Sequence, residues 1–262
     1  MIKVTQEMAA AYQSDGVVLV RGLWADWVED LRTGIARNMA DPSAHLMATL
    51  KPGEPGRFFD DYCNWQRIPE FERVIRQSEV AEVAAALMGS DRVQLFHDHV
   101  LVKELGTAKP TPWHSDGPYY FVEGKQTVSF WSPLDHVRES SLRCVAGSHL
   151  WPRDILPMRW MSETDFYAGD HDYTPVPDPE AEGLPILEWE MQPGDAVAFN
   201  FRTLHGTRGN VTGARRRAFS LRLVGEDARY VERPGPTSPP FPGHGMQPGN
   251  RLREDWFPVL RG

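Results

Sequence analysis

Helical spacing is confined to residues 1–90 of this 262-residue chain, and from Asp91 onward the pattern is one of short strands broken by Pro and Gly turns. Residues 5–14 read as a helix, Asp15-Gly16 as a turn and Val17–Val20 as a short strand. Residues 25–38 (Trp27, Leu31, Ile35) and Val80–Met88 carry further helical spacing. Strand signals follow at 91–102, Thr127–Leu134, Leu142–Ala146, Ile186–Glu190, Ala196–Phe201 and Arg216–Val224. Helices first and clustered strands afterwards point to a mainly β chain. The expected architecture is a double-stranded β-helix, a jelly-roll barrel with the N-terminal helices packed on its outside. A single domain over 1–262 is expected, with a helical part and support strand (1–90), a jelly-roll core (91–230) and an irregular Pro/Gly-rich tail (231–262). Residues 151–185, acidic and aromatic, form a long excursion between strands, and loops of that length are commonly lids.

Within this frame, Trp113-His114-Ser115-Asp116 places two metal-ligating side chains one residue apart on an extended segment, hence on the same face. A Pro-rich turn around Pro110 and Pro112 leads into His114. Downstream, the turn Met191-Gln192-Pro193-Gly194-Asp195 feeds the apolar run Ala196–Phe201, which delivers His205 at its far end. Two histidines and one carboxylate, with the remaining positions open, form the facial triad of non-haem Fe(II) oxygenases. Arg216 trails His205 within Arg215-Arg216-Arg217, and its planar fork suits the far carboxylate of a 2-oxoglutarate cosubstrate. Strand parity favours it. Arg216, Ala218 and Ser220 share one face, with room for a diacid, whereas Arg217, Phe219, Leu221 and Leu223 share the apolar one. Arg215, Arg217 and Arg222 read as surface or rim charges.

Composition narrows the partners. A net charge of −8 and a pI near 5.6 argue against nucleic acid or an anionic membrane, and no apolar stretch is long enough to span a bilayer. The start of the chain shows no secretory pattern, so a cytoplasmic location is expected, with Cys63 and Cys144 as free thiols. A small-molecule substrate is the expected partner. Oligomeric state is not readable.

The run His97-Asp98-His99-Val100-Leu101-Val102-Lys103-Glu104, then Thr111–Asp116, Gly147-Ser148-His149, Pro193-Gly194-Asp195, and His205-Gly206 with Arg216 resembles the phytanoyl-CoA dioxygenase family over roughly residues 10–230. The resemblance implies a jelly-roll dioxygenase that uses Fe(II), 2-oxoglutarate and O₂, forms succinate and CO₂, and hydroxylates its substrate. It implies His114, Asp116 and His205 as iron ligands and Arg216 as the cosubstrate arginine. It further implies that Thr207 hydrogen-bonds the same carboxylate and that Trp131 lines the cosubstrate pocket, although Trp131 reads equally well as core.

A rival reading uses His97-x-His99 followed by Glu104, the spacing of a cupin first motif, with Pro193-Gly194-Asp195 as part of a second. That would make a metal-dependent isomerase or a sugar-binding barrel, and it leaves Trp113–Asp116 and the Arg-rich strand unexplained. Glu104 and Asp98 otherwise have at most a role in orienting a histidine, and Lys103 fits either a carboxylate partner or an exposed strand position. Substrate identity is open among acyl-CoA thioesters, small zwitterions, phosphonates and natural products. Tyr119, Tyr120 and the excursion with Trp160, Phe166 and Tyr167 are the candidate substrate wall.

Overall fold

A computed structural model describes residues 2–47, 56–107, 110–138, 140–159, 164–169, 172–210 and 214–262. Four α-helices occur among them: α1 (Gln6–Asp15), α2 (Val28–Ala40), α3 (Pro69–Gln77) and α4 (Val80–Met88). Thr5 caps α1 by accepting the Met8 N–H, and Gly16 ends it in the left-handed conformation, φ 72°. The strands in chain order are β1 (Val17–Val20), β2 (Phe58–Tyr62), β3 (Val93–Lys103), β4 (Thr111–His114), β5 (Val122–Glu123), β6 (Thr127–Pro133) and β7 (Leu142–Val145). They continue as β8 (Met158–Arg159), β9 (Thr164–Asp165), β10 (Ile186–Leu187), β11 (Ala196–Phe199), β12 (His205–Thr207), β13 (Arg216–Val224), β14 (Arg229–Tyr230) and β15 (Val259–Arg261).

The chain is mainly β. A seven-stranded antiparallel sheet runs β1-β11-β6-β13-β3-β15, with β2 also on β3, and a four-stranded sheet runs β10-β7-β12-β4. The large sheet has two unlike faces. Val128, Phe130, Phe219, Leu221, Val100 and Val102 pack on one side with Leu31 and Ile35 of α2, Phe71, Val74 and Ile75 of α3, and α4. Trp24 and Phe71 close around Phe219, with ring centroids 5.6 Å and 4.8 Å away. The other side meets the small sheet, where Trp131, Phe199 and Ala218 cluster with Leu142 and Cys144.

A bulge adjusts this alternation at one place. Arg222 pairs with His97 and Leu223 with Leu95, so Phe96 is the extra residue on β3. Leu95 therefore faces the helices, while His97, His99, Leu101 and Lys103 turn toward the small sheet. The Pro193-Gly194-Asp195 turn has a structural job. Gly194, at φ 87°, leaves no room for a Cβ, which would lie 2.6 Å from Ala25, and Asp195 accepts the N–H groups of Gly22 and Gln192.

Several elements, β2 and α3 the longest of them, went unread in the sequence. Strand β2 is short and acidic. Helix α3 begins with Pro69 at its first turn and shows a strong apolar stripe. The tail after Tyr230, expected as a Pro/Gly-rich irregular stretch laid over the surface or disordered, is irregular for most of its length, but it buries Met246, Leu252 and Phe257 and adds β15 to the edge of β3. Its Pro and Gly content hides scattered apolar anchors that obey no period. No helix among the described residues is long and apolar enough to cross a membrane.

Phe219 is wholly buried between helices and sheet. Phe219→Ala should lower unfolding stability by about 3–5 kcal/mol, read from the shift of the urea midpoint at unchanged slope.

Candidate active site

His114 and His205 are cross-strand partners on β4 and β12, and Gly206 lets those strands close, since a Cβ there would stand 3.0 Å from the Thr111 carbonyl oxygen. The two imidazole centroids are 4.1 Å apart. Each ring is oriented through Nδ1, which donates to a backbone carbonyl: His114 to Pro112 at 2.8 Å and His205 to Thr203 at 2.9 Å. With the proton on Nδ1, each Nε2 carries a lone pair, and each lies 3.8 Å from Asp116 Oδ1. One ligating atom from each of the three buried side chains falls within 4.8 Å of the others. Among the described residues this is the grouping of His, Cys, Asp and Glu that could hold a metal ion.

Asp116 bridges the sheets. Its Oδ2 accepts Ser129 Oγ of β6 at 3.2 Å and Arg222 Nη2 of β13 at 3.3 Å, leaving Oδ1 to the imidazoles. Burial alone would raise its carboxyl, but Arg222 and the two imidazoles outweigh burial and hold it well below the usual carboxylate range. Burial, with His205 alongside, pushes the His114 imidazole down to about 3, and burial lowers that of His205 too. An ionised carboxylate beside two neutral imidazoles is the protonation state that a divalent cation requires.

The triad opens into a cavity of about 380 Å³ between the sheets. At one end stands Arg216, buried, with Nη1 donating to the Ser140 carbonyl at 2.5 Å and its guanidinium 5.4 Å from the Trp131 ring centre. Its Nε has no hydrogen-bond partner among the described residues. Lys103 lies directly across from it on β3 and donates to Thr207 Oγ1 at 3.1 Å. Burial, reinforced by Arg216, lowers the Lys103 ammonium to about 6. A buried guanidinium facing a lysine amine that an incoming carboxylate would protonate makes a place for an anion.

Arg216, Thr207 and Trp131 line the same cavity. Lys103 is buried beside them, not on an exposed strand. Arg222 corrects the sequence reading, being no rim charge but 5% exposed against Asp116. Parity with Arg216, Ala218 and Ser220 was the available signal for it. Arg217 pairs with Asp135 and Arg215 with Glu104, both toward the outside. That leaves the His97/His99/Glu104 grouping unassembled, and His99 Nε2 meets Asp60 at 2.5 Å. Asp98 turns away to accept the backbone N–H groups of Asn64 and Trp65. Tyr119, Tyr120, Met158, Arg159 and Phe166 line the cavity, while Trp160 lies outside the described residues.

The family model for phytanoyl-CoA dioxygenase matches residues 12–218. The chain belongs to the phytanoyl-CoA dioxygenase family. It is an iron- and 2-oxoglutarate-dependent oxygenase. Ectoine dioxygenase of Sphingopyxis alaskensis is 23% identical over 227 residues, 80% of this chain and 72% of that protein. The peroxisomal phytanoyl-CoA dioxygenase of Rattus norvegicus is 22% identical over 245 residues, 86% and 70% of the two chains. In fold, the chain is similar to the epimerase SnoN in complex with Fe³⁺, alpha ketoglutarate and nogalamycin RO, with TM-score 0.78, 24% identity and 98% of each chain covered. It is also similar to EctD from S. alaskensis with 2-oxoglutarate and 5-hydroxyectoine, with TM-score 0.69 and 22% identity over 95% of this chain and 85% of that one.

Proposed function

We propose that this family member hydroxylates a small organic molecule, with iron held by His114, Asp116 and His205 and the far carboxylate of 2-oxoglutarate held by Arg216 and Thr207 over Trp131. The observation that carries the reading is the pair of neutral Nε2 atoms, each 3.8 Å from one oxygen of an ionised carboxylate, in the same cavity as an Arg216 Nε with no partner among the described residues. The two facing sheets and their helical cover support a double-stranded β-helix, and a single oxygenase domain over 1–262. Iron with 2-oxoglutarate and O₂ supplies the oxidising power, the cosubstrate ending as succinate and CO₂. The residues do the rest. Pro112 and Thr203 fix the imidazole tautomers, Arg222 and Ser129 keep Asp116 ionised and aimed, and Arg216 with Lys103 offsets the cosubstrate charge.

His114→Ala, Asp116→Ala and His205→Ala should each lose Fe(II) and succinate formation. Arg216→Ala should keep iron while weakening 2-oxoglutarate by about 2–5 kcal/mol, as removal of a charge-assisted pair in a buried site does. Metal analysis and anaerobic titration read both, and retention of iron by any triad variant sinks the assignment.

Lys103 adds a pH dependence. Its ordinary value lies near 10.5 and its buried value at about 6, so at pH 8 the amine is neutral in the empty pocket. A carboxylate beside it restores the proton. Binding of 2-oxoglutarate should therefore take up close to one proton at pH 8, and its affinity should rise as pH falls from 9 toward 6 and then level off. Calorimetry in buffers of different ionisation heat measures this, and Lys103→Met should abolish the uptake.

The 151–185 excursion is better anchored than a loose lid. Tyr167 is buried and donates to the Pro118 carbonyl, and Arg202 ties His149, Trp151 and Asp154. Met158 and Phe166 nevertheless face the cavity, which supports a role as substrate wall. Phe166→Ala should raise the substrate KM while leaving 2-oxoglutarate affinity within about twofold, since an exposed-edge apolar contact carries no charge. Unchanged substrate KM moves the wall elsewhere.

A further inference from the structure

The end of the cavity opposite Arg216 holds a second polar pair, two of whose hydrogen-bonding atoms the iron and cosubstrate reading leaves unused. Arg222 and His97 are direct cross-strand partners, and both line the cavity. Arg222 spends Nη2 on Asp116 and Nε on the Tyr120 hydroxyl at 3.2 Å, and its Nη1 has no partner among the described residues. His97 is 2% exposed; its Nδ1 lies 3.3 Å from the Asp98 carbonyl oxygen, and its Nε2 likewise has no partner among the described residues. A carbonyl can only accept, so that contact puts the proton on Nδ1 and leaves Nε2 a bare acceptor. The pair therefore offers one donor and one acceptor, side by side. Unsatisfied buried polar atoms are costly, and the Phe96 bulge is what turns His97 inward to create the second of them.

We infer that Arg222 Nη1 and His97 Nε2 bind a hydroxyl group of the substrate, which accepts from the guanidinium and donates to the imidazole. The inference rests on the oxygenase reading of the same cavity. Asp116 already balances the Arg222 charge, so the group is neutral rather than a carboxylate or phosphate. The remaining wall is predominantly apolar, with Phe58, Leu101, Tyr119, Met158 and Phe166, and Asp60, His99 and Arg159 also reach it. The substrate class is thus an apolar, ring-sized alcohol held by its hydroxyl near the metal centre. A site selected to hydrogen-bond a hydroxyl rejects analogues that lack it, because their binding leaves the buried partners unpaired.

The experiment is anaerobic calorimetry on the wild-type protein loaded with Fe(II) and 2-oxoglutarate, using 1-tetralol, 1-tetralone, tetralin and 1-naphthoate as probes. The first check is the charge-transfer absorption of the loaded protein, and its absence counts against the oxygenase reading itself. Given that absorption, tetralol should bind at least tenfold more tightly than tetralin, with tetralone, which can only accept, between them. His97→Phe should erase the advantage of tetralol over tetralone while the absorption persists, and His97→Gln, whose carbonyl oxygen can accept, should restore it. Equal binding of tetralol and tetralin means that the pair holds only water, and tightest binding of naphthoate means an anion site. Either result overturns the inference, as does a tetralol advantage that survives His97→Phe.

Discussion

Charge buried between two sheets is the constraint on which this structure turns. Strand β13 carries Arg216 and Arg222 on its inward face, six residues apart, and faces Lys103 and His97 on β3. None of these groups can be desolvated without compensation. Arg222 finds Asp116, the Tyr120 hydroxyl and the edge of the triad. Arg216 finds a carbonyl and an aromatic face, and keeps its Nε unpartnered. The fold holds this arrangement because the opposite face of the same strand, Phe219, Leu221 and Leu223, is sealed under the helices. Hydrophobic burial on one side supports polar placement on the other.

That division explains why the two ends of the cavity differ. At the Arg216 end, a buried guanidinium faces the Lys103 amine across paired strands, and burial keeps that amine from holding its proton unless an anion lies beside it. At the Arg222 end the charge is already matched, so what stays unsatisfied is hydrogen-bonding capacity rather than charge. The triad sits between, with Asp116 fixed to the large sheet through one oxygen and turned to the small sheet through the other. The triad is therefore assembled only when the sheets close on each other. His114 and His205 come from one sheet, and the groups that hold Asp116 come from the other.

Much of the site was legible because its chemistry is local. His114 and Asp116 share a face by strand parity, and Arg216 was separable from Arg217 on the same ground. Parity also holds Arg222 inward, yet a charged residue near a strand end is easily taken for rim, and its partner Asp116 is 106 residues away. Lys103 was ambiguous for the same reason. Its burial depends on Thr207 and on the packing of β2, neither of which is encoded near it.

The sequence by itself determined the mainly β character and the helices ahead of the strands, and it singled out the three residues that the fold gathers, because periodicity and motif spacing are properties of neighbours along the chain. Tertiary structure alone decided the rest. The bulge at Phe96 that reverses the facing of β3 exists only when β3 pairs with β13. The burial of the C-terminal tail against Phe96 and Phe121 comes from isolated apolar residues finding a shared cluster, which no repeat announces. The pairing of His97 with Arg222 joins positions 125 residues apart through strand register. Register is set by how whole sheets bury their faces, so it cannot be read from either segment alone.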